Sequence, residues 1–127
     1  RHYRIDKMSS IKLTCEPREG KDIFKSFDIV DYSRKTFGMF SGQEETVTVE
    51  APNNLVGVFI DRFGEAANIR KNFNNPDTFL VRIAVNVSPQ FFAWIFGLGK
   101  DVKIISPQSV RDEFVKTTND ILSYYNP

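Results

Sequence analysis

Histidine and cysteine are almost missing from this 127-residue chain, which has one of each, His2 and Cys15. A lone cysteine excludes an intrachain disulfide and a CxxC site, and its natural reading is a reducing, cytoplasmic home. One imidazole and one thiol cannot build a zinc cage. They cannot build a nucleophilic triad either, because His2 stands at the frayed start and Cys15 has no histidine within sequence reach. The expectation is therefore a non-enzyme with no catalytic residue, no metal and no cofactor. A charge of one sign is lacking too: 17 Lys plus Arg face 16 Asp plus Glu, a net of +1. DNA-binding domains gather a basic excess on one face or helix, so DNA contact is not expected from these residues themselves. No apolar run approaches the roughly 18 residues of a membrane span, and no signal-peptide pattern is present, so no membrane is expected. The chain opens at Arg1 without Met, inside what reads as a strand. That start is expected to be a cut within a longer protein.

Core material is plentiful, with 41 % hydrophobic residues and twelve Phe. Residues 1–15 read as two short extended runs, Tyr3 and Ile5 alternating with Arg4 and Asp6, then Ile11 and Leu13 with Lys12 and Thr14. The charged, turn-rich stretch Glu16-Pro17-Arg18-Glu19-Gly20-Lys21 marks a linker. Within residues 16–43, Asp28 offers an N-cap to a short helix with Ile29, Tyr32 and Thr36 on one side and Gly38 as its stop. The loop Phe37-Gly38-Met39-Phe40-Ser41-Gly42 is glycine-punctuated, but it lacks the Lys-Ser/Thr ending of a phosphate loop and reads as packing.

Residues 44–127 form the main domain. Val47 and Val49 alternate with Thr46, Thr48 and Glu50 as a half-buried strand. Pro52 and Asn53 open a helix with Leu55, Val56, Phe59, Ile60 and Phe63 on its apolar stripe, and Gly64 closes it in a left-handed conformation. A second strand carries Ala67, Ile69 and Phe73 toward the core, with Asn68, Arg70 and Asn72 opposite, and Asn74-Asn75-Pro76-Asp77 is a turn. In the third strand Phe79, Val81, Ile83, Val85 and Val87 face one way. Ser88-Pro89 starts a helix through Phe91, Phe92, Trp94, Ile95 and Phe96. Val102 to Ile105 reads as a central strand, Ser106-Pro107 as a second cap-and-proline start, and a last helix runs to about Tyr125. The order strand, helix, strand, strand, helix, strand gives an α+β fold, a ferredoxin-like βαββαβ sandwich with an extra C-terminal helix.

Such a sandwich leaves one sheet face free, here Thr46, Thr48, Glu50, Asn68, Arg70, Leu80, Arg82, Ala84 and Asn86. Arg70 and Arg82 would meet on it if their strands pair through the Asn74 turn, and could then receive an anion; two solvated arginines are the plainer reading. Asp61 and Glu65 read as solvated surface. The run Phe91-Phe92-Ala93-Trp94-Ile95-Phe96 has no interleaved basic residue, so it reads as core rather than as a stacking platform. Apolar residues on nearly every side of that helix make Phe91, Phe92, Trp94 and Phe96 candidates for an interface with another subunit.

Several segments together resemble a known family. Arg1-His2-Tyr3-Arg4-Ile5-Asp6-Lys7-Met8 is similar to the last strand of a WYL domain. Phe37-Gly38-Met39-Phe40, Val58-Phe59-Ile60-Asp61-Arg62-Phe63-Gly64, Ser88-Pro89-Gln90-Phe91-Phe92-Ala93-Trp94 and Val102-Lys103-Ile104-Ile105-Ser106-Pro107 resemble the C-terminal extension, WCX, that follows WYL domains. The resemblance implies a bacterial transcriptional regulator with a winged helix-turn-helix, a WYL domain of Sm-like or SH3-like form, and this extension. On that reading residues 1–15 are terminal strands of a truncated WYL domain, and the Trp-Tyr-Leu signature and the DNA-binding domain are missing. Arg1 and Arg4 match the terminal arginine motif, which makes them candidate ligand contacts alongside Arg70 and Arg82. The expected function is a non-catalytic regulatory and dimerisation domain, with a homodimer as its assembly and DNA reached only through the missing domain. The alternative is a small-molecule or nucleotide effector sensor using the open sheet face, and a nucleotide or nucleic-acid effector is implied for the full-length protein.

Overall fold

A computed structural model describes residues 3–38 and 42–126. The ligand role expected of Arg1 lies outside the described residues, as do His2 and Met39, Phe40 and Ser41 of the aromatic loop.

Four strands build the sheet: β1 (Gln43–Pro52), β2 (Asn68–Lys71), β3 (Thr78–Val87) and β4 (Lys103–Ser106). The long pair β1 and β3 is antiparallel throughout, from Gln43 opposite Val87 to Pro52 opposite Thr78. β2 adds to the far side of β3, and β4 to the far side of β1, also antiparallel. The order across the sheet is β2-β3-β1-β4. β1 and β2 therefore run the same way and are joined by helix α3 (Val56–Phe63), while β3 and β4 run the other way and are joined by α4 (Pro89–Gly97); α1 (Lys21–Lys25) and α2 (Ile29–Lys35) precede the sheet, and α5 (Gln108–Tyr125) follows it.

The alternation of β-branched and polar residues decides which side is buried. Val47, Val49 and Ala51 lie opposite Ile83, Val81 and Phe79, so one face is a continuous apolar layer. Phe59 and Phe63 of α3, Phe91, Phe92 and Ile95 of α4, and Val110 of α5 pack with that layer in a single core. Each such side chain contributes about 1.5–3 kcal/mol by leaving water. Ser88 caps α4 as expected: its Oγ accepts from the Phe91 N–H at 3.2 Å, and Pro89 takes the first turn, where its missing N–H costs nothing. Asp28 likewise caps α2, accepting from the Val30 and Asp31 N–H groups.

Several expectations are corrected. Residues 3–15 hold no strand; Ile5–Lys7 is a short 3-10 turn, because an isolated strand has no neighbour to satisfy its backbone groups. α1 lies in the stretch read as linker. Phe37, by contrast, is 5 % exposed and belongs to the core, in line with the packing read for its loop. β2 ends at Lys71, where Asn72 is buried with hydrogen bonds to Glu50 and Thr78 at the end of the open face, and Phe73, expected in the core, is 94 % exposed. Ile60 also faces solvent. The apolar run ending at Ile105 is an edge strand, not a central one: Ile104 faces the core opposite Val49, Lys103 faces outward, and a register shift between Thr48 and Val49 leaves Ile105 exposed. Ser106 caps nothing, since it pairs with Thr48 at the end of β4 and α5 starts behind Pro107. Gly64 closes α3 at φ 56, but its ψ of −136 lies outside the left-handed helical region.

Candidate functional site

The face of the sheet away from the core is polar, as its alternation requires. Thr46, Thr48 and Glu50 of β1 stand opposite Ala84, Arg82 and Leu80 of β3. Asn68 and Arg70 of β2 stand opposite the same Arg82 and Leu80. Arg70 and Arg82 are thus diagonal neighbours on one face, a relation that separates residues by about 7–8 Å and brings long side chains within reach of each other. Both are exposed, and among the described residues neither has an ion-pair partner. Lys103 joins the same face from β4, opposite Glu50.

Hydrogen bonds close both ends of this face. At one end Asn72 Nδ2 donates to Glu50 Oε1 (3.1 Å) and Thr78 Oγ1 (2.9 Å), and Thr78 Oγ1 donates to the same carboxylate oxygen (2.8 Å). Asn72 Oδ1 accepts from the Asn74 N–H at 3.1 Å, so one buried amide holds the β2–β3 turn. Glu50 is therefore committed to structure. At the other end Asn86, expected on the open face, is buried and donates to Thr36 Oγ1 at 2.9 Å. Lys35 lies between Asp31 and Glu44, 2.9 Å from each, and is held above the ordinary lysine range by those two partners, Asp31 first.

Arg62, part of the Asp-Arg-Phe-Gly motif, joins α2 to α3. Its Nη2 donates to the Thr36 carbonyl at 2.9 Å, at the C-terminal end of α2, where a cation is favoured. Its guanidinium lies 4.4 Å from the centre of the Phe37 ring. Burial pushes this group below the usual arginine range, and its Nε has no hydrogen-bond partner among the described residues. Arg34 comes back the other way: a Cβ added at Gly64 would sit 3.3 Å from Arg34 Nη2. Sequence reasoning did not single out Arg62 or Asn72. The signal for Arg62 was its place between Phe59 and Phe63, on the buried side of an amphipathic helix.

The other expected site residues are scattered. Arg4 forms a two-pronged pair with Asp6 (2.9 and 2.7 Å), which raises Arg4 and lowers Asp6 from their ordinary values. That guanidinium is occupied, and nothing brings it to Arg70 or Arg82. Phe91 and Phe92 are core residues with no surface to offer. Trp94 is half-buried, its ring 5.3 Å from those of Phe37 and Phe59 and 5.8 Å from that of Phe63. Phe96 alone of the four is open, at 71 %.

Two further apolar surfaces lack cover. The first is the segment before α1, where Tyr3, Ile5, Met8, Ile11 and Leu13 are all exposed. The second is the far half of α5: Val110 is buried and Phe114 packs on Phe92, but Ile121, Leu122, Tyr124 and Tyr125 face solvent. No described helix is long and apolar enough to cross a membrane.

Among protein families, the model of the WCX domain matches residues 43–122, from the start of β1 into the last turns of α5. No curated protein matches the chain.

Proposed function

This chain belongs to the WCX domain family, the C-terminal extension of WYL-type regulators, and we propose that it serves as the non-catalytic regulatory and dimerisation part of a transcriptional regulator. The family match over residues 43–122 carries the reading. The uncovered apolar residues are consistent with it: Tyr3, Ile5, Ile11 and Leu13 would pack within a WYL domain, and Ile121, Leu122, Tyr124 and Tyr125 would pack on a second copy. DNA would be reached through another domain, in keeping with a net charge of +1. The same reading takes the fold as ferredoxin-like. Its support is the order β4-β1-β3-β2 with α3 and α4 as the two crossovers, the arrangement two βαβ halves produce.

The test is the solution mass of the chain by light scattering over a range of concentrations, for the native sequence and for Ile121→Glu with Leu122→Glu. Both side chains are exposed, so the fold should survive the charges. The expected result is a dimer that the charged variant reduces to a monomer. A native chain that stays monomeric throughout, or a charged variant that still dimerises, refutes the α5 surface.

A second reading rests on one observation, the diagonal of Arg70 and Arg82 on the open face, neither with an ion-pair partner among the described residues. Under it the face holds an anionic effector such as a nucleotide, and Arg82→Ala should abolish binding without unfolding the chain. Unchanged nucleotide affinity in that variant would remove the reading.

A further inference from the structure

A groove of about 700 Å³ runs beside β2. Val56 at the start of α3, Ile69 of β2 and Phe79 of β3 give it apolar lining, and Phe73 stands at it, almost fully exposed. β2 is the last strand of the sheet on this side and is paired only with β3. Half of its backbone N–H and C=O groups therefore point away from the sheet, the arrangement that accepts an added strand. The groove is lined by Arg70 and Lys71 and by no carboxylate. Among the described residues neither cation has an ion-pair partner.

We propose that this groove docks an extended acidic segment of another protein, which adds to β2 as a fifth strand. Residues of an added strand alternate between faces. A side chain opposite Ile69 falls on the helix side, onto Val56 and Phe79. A carboxylate opposite Arg70 falls on the open side, and one opposite Lys71 on the helix side. Backbone pairing supplies the affinity and the pocket beside it the specificity, as in other strand-addition sites. A second copy of β2 does not fit. Two Asn-Ile-Arg-Lys edges would put four cations on one short seam, and like charges across a strand pair are destabilising. A small anion would use neither the free backbone nor the apolar lining. The proposal does not depend on the regulator reading, and Arg82 is not among the groove residues.

The probe is a capped peptide, Thr-Glu-Asp-Val-Asp-Glu-Thr, whose central Val is flanked by carboxylates in either strand direction. It is titrated into the ¹⁵N-labelled full chain, with a Lys-for-acid version and a backbone N-methylated version as controls. The expected result is shift changes confined to residues 68–73, Val56 and Phe79. Affinity should fall at least tenfold in Arg70→Glu with Lys71→Glu, and neither control should bind. Both substituted residues are exposed, so an unchanged melting temperature verifies the fold of the variant. Absence of any shift overturns the proposal, as do shifts centred on Arg82 and the open face. Equal binding of the N-methylated peptide overturns it too, by reducing the site to a small-anion or charge contact. Because the regulator reading is tested at α5, failure here leaves that reading standing.

Discussion

Replacing Phe37 with alanine should cost the fold about 3–5 kcal/mol, the range for deleting a buried phenylalanine ring from a packed core. The position looks like a poor candidate for such an effect, since it lies before the first strand and outside the family-matched region. Its ring is nevertheless 5 % exposed and lies 5.4 Å from Phe91, 5.3 Å from Trp94 and 6.4 Å from Phe63. It also carries the Arg62 guanidinium on its face, so truncation would leave a half-buried cation without its aromatic support. A domain of this size is stable by only about 5–15 kcal/mol, so the loss is a large fraction of the total. With a urea dependence of about 2 kcal/mol per molar, the unfolding midpoint should drop by about 1.5–2.5 M. Trp94 is the only tryptophan and sits against Phe37, so its fluorescence follows the transition at the site of the change. Exposed linker positions change stability by no more than about 0.5 kcal/mol. A midpoint shift that small would refute the docking of Phe37 and return residues 28–38 to the status of a tether.

Two further outcomes follow from the hydrogen bonds. Asn72→Ala removes both donations to Glu50 and Thr78 and the acceptor for the Asn74 N–H; it should cost about 1–3 kcal/mol in urea unfolding, with faster amide exchange confined to the β2–β3 turn. A loss below a few tenths would mean that water replaces the amide at no cost. Lys35 is raised by Asp31 and Glu44, so its contribution is complete below the ordinary lysine value and fades as pH rises through the raised one. The native chain should therefore lose stability on the alkaline limb, above about pH 10, more steeply than Lys35→Met does. Identical alkaline limbs for the two proteins would show that the pair does not couple to folding.

Where periodicity was strong, local sequence and structure agree. The alternation from Phe79 to Val87 determines both the strand and its buried face, because a shift of one residue would put five apolar side chains into water. Ser88-Pro89 and Asp28 mark helix starts because a cap satisfies its own neighbours' N–H groups and needs no distant partner. The disagreements share a different origin. Val102 to Ile105 reads as central because an almost wholly apolar run, three residues of four, carries no information about how many neighbours the strand will find. Its place at the edge follows from pairing with β1 alone, and Lys103 within it faces outward. Phe73 was read as core by extending the alternation two residues past Lys71, where β2 ends and Asn72 hydrogen-bonds Glu50 and Thr78. Ile121 and Tyr124 have helical spacing, yet only packing tells which turns of a helix lie over a core and which extend beyond it.

The candidate surfaces divide in the same way. That Arg70 and Arg82 share a face was legible, since parity along each strand is a local property. Their diagonal placement needed the register of β2 on β3. That Phe91 and Phe92 are spent in the core while Phe96 is free was decided by the direction in which α4 meets the sheet. The pairing of Arg62 with Phe37 was hidden for the strongest reason, because it spans 25 residues of chain and exists only when α2 and α3 lie side by side. Short-range order follows from steric preference and from hydrogen bonds that neighbours can satisfy. Contacts of long sequence separation depend on how the layers close, and in this protein those contacts place the half-buried Arg62 on the Phe37 ring and leave the β2 edge open.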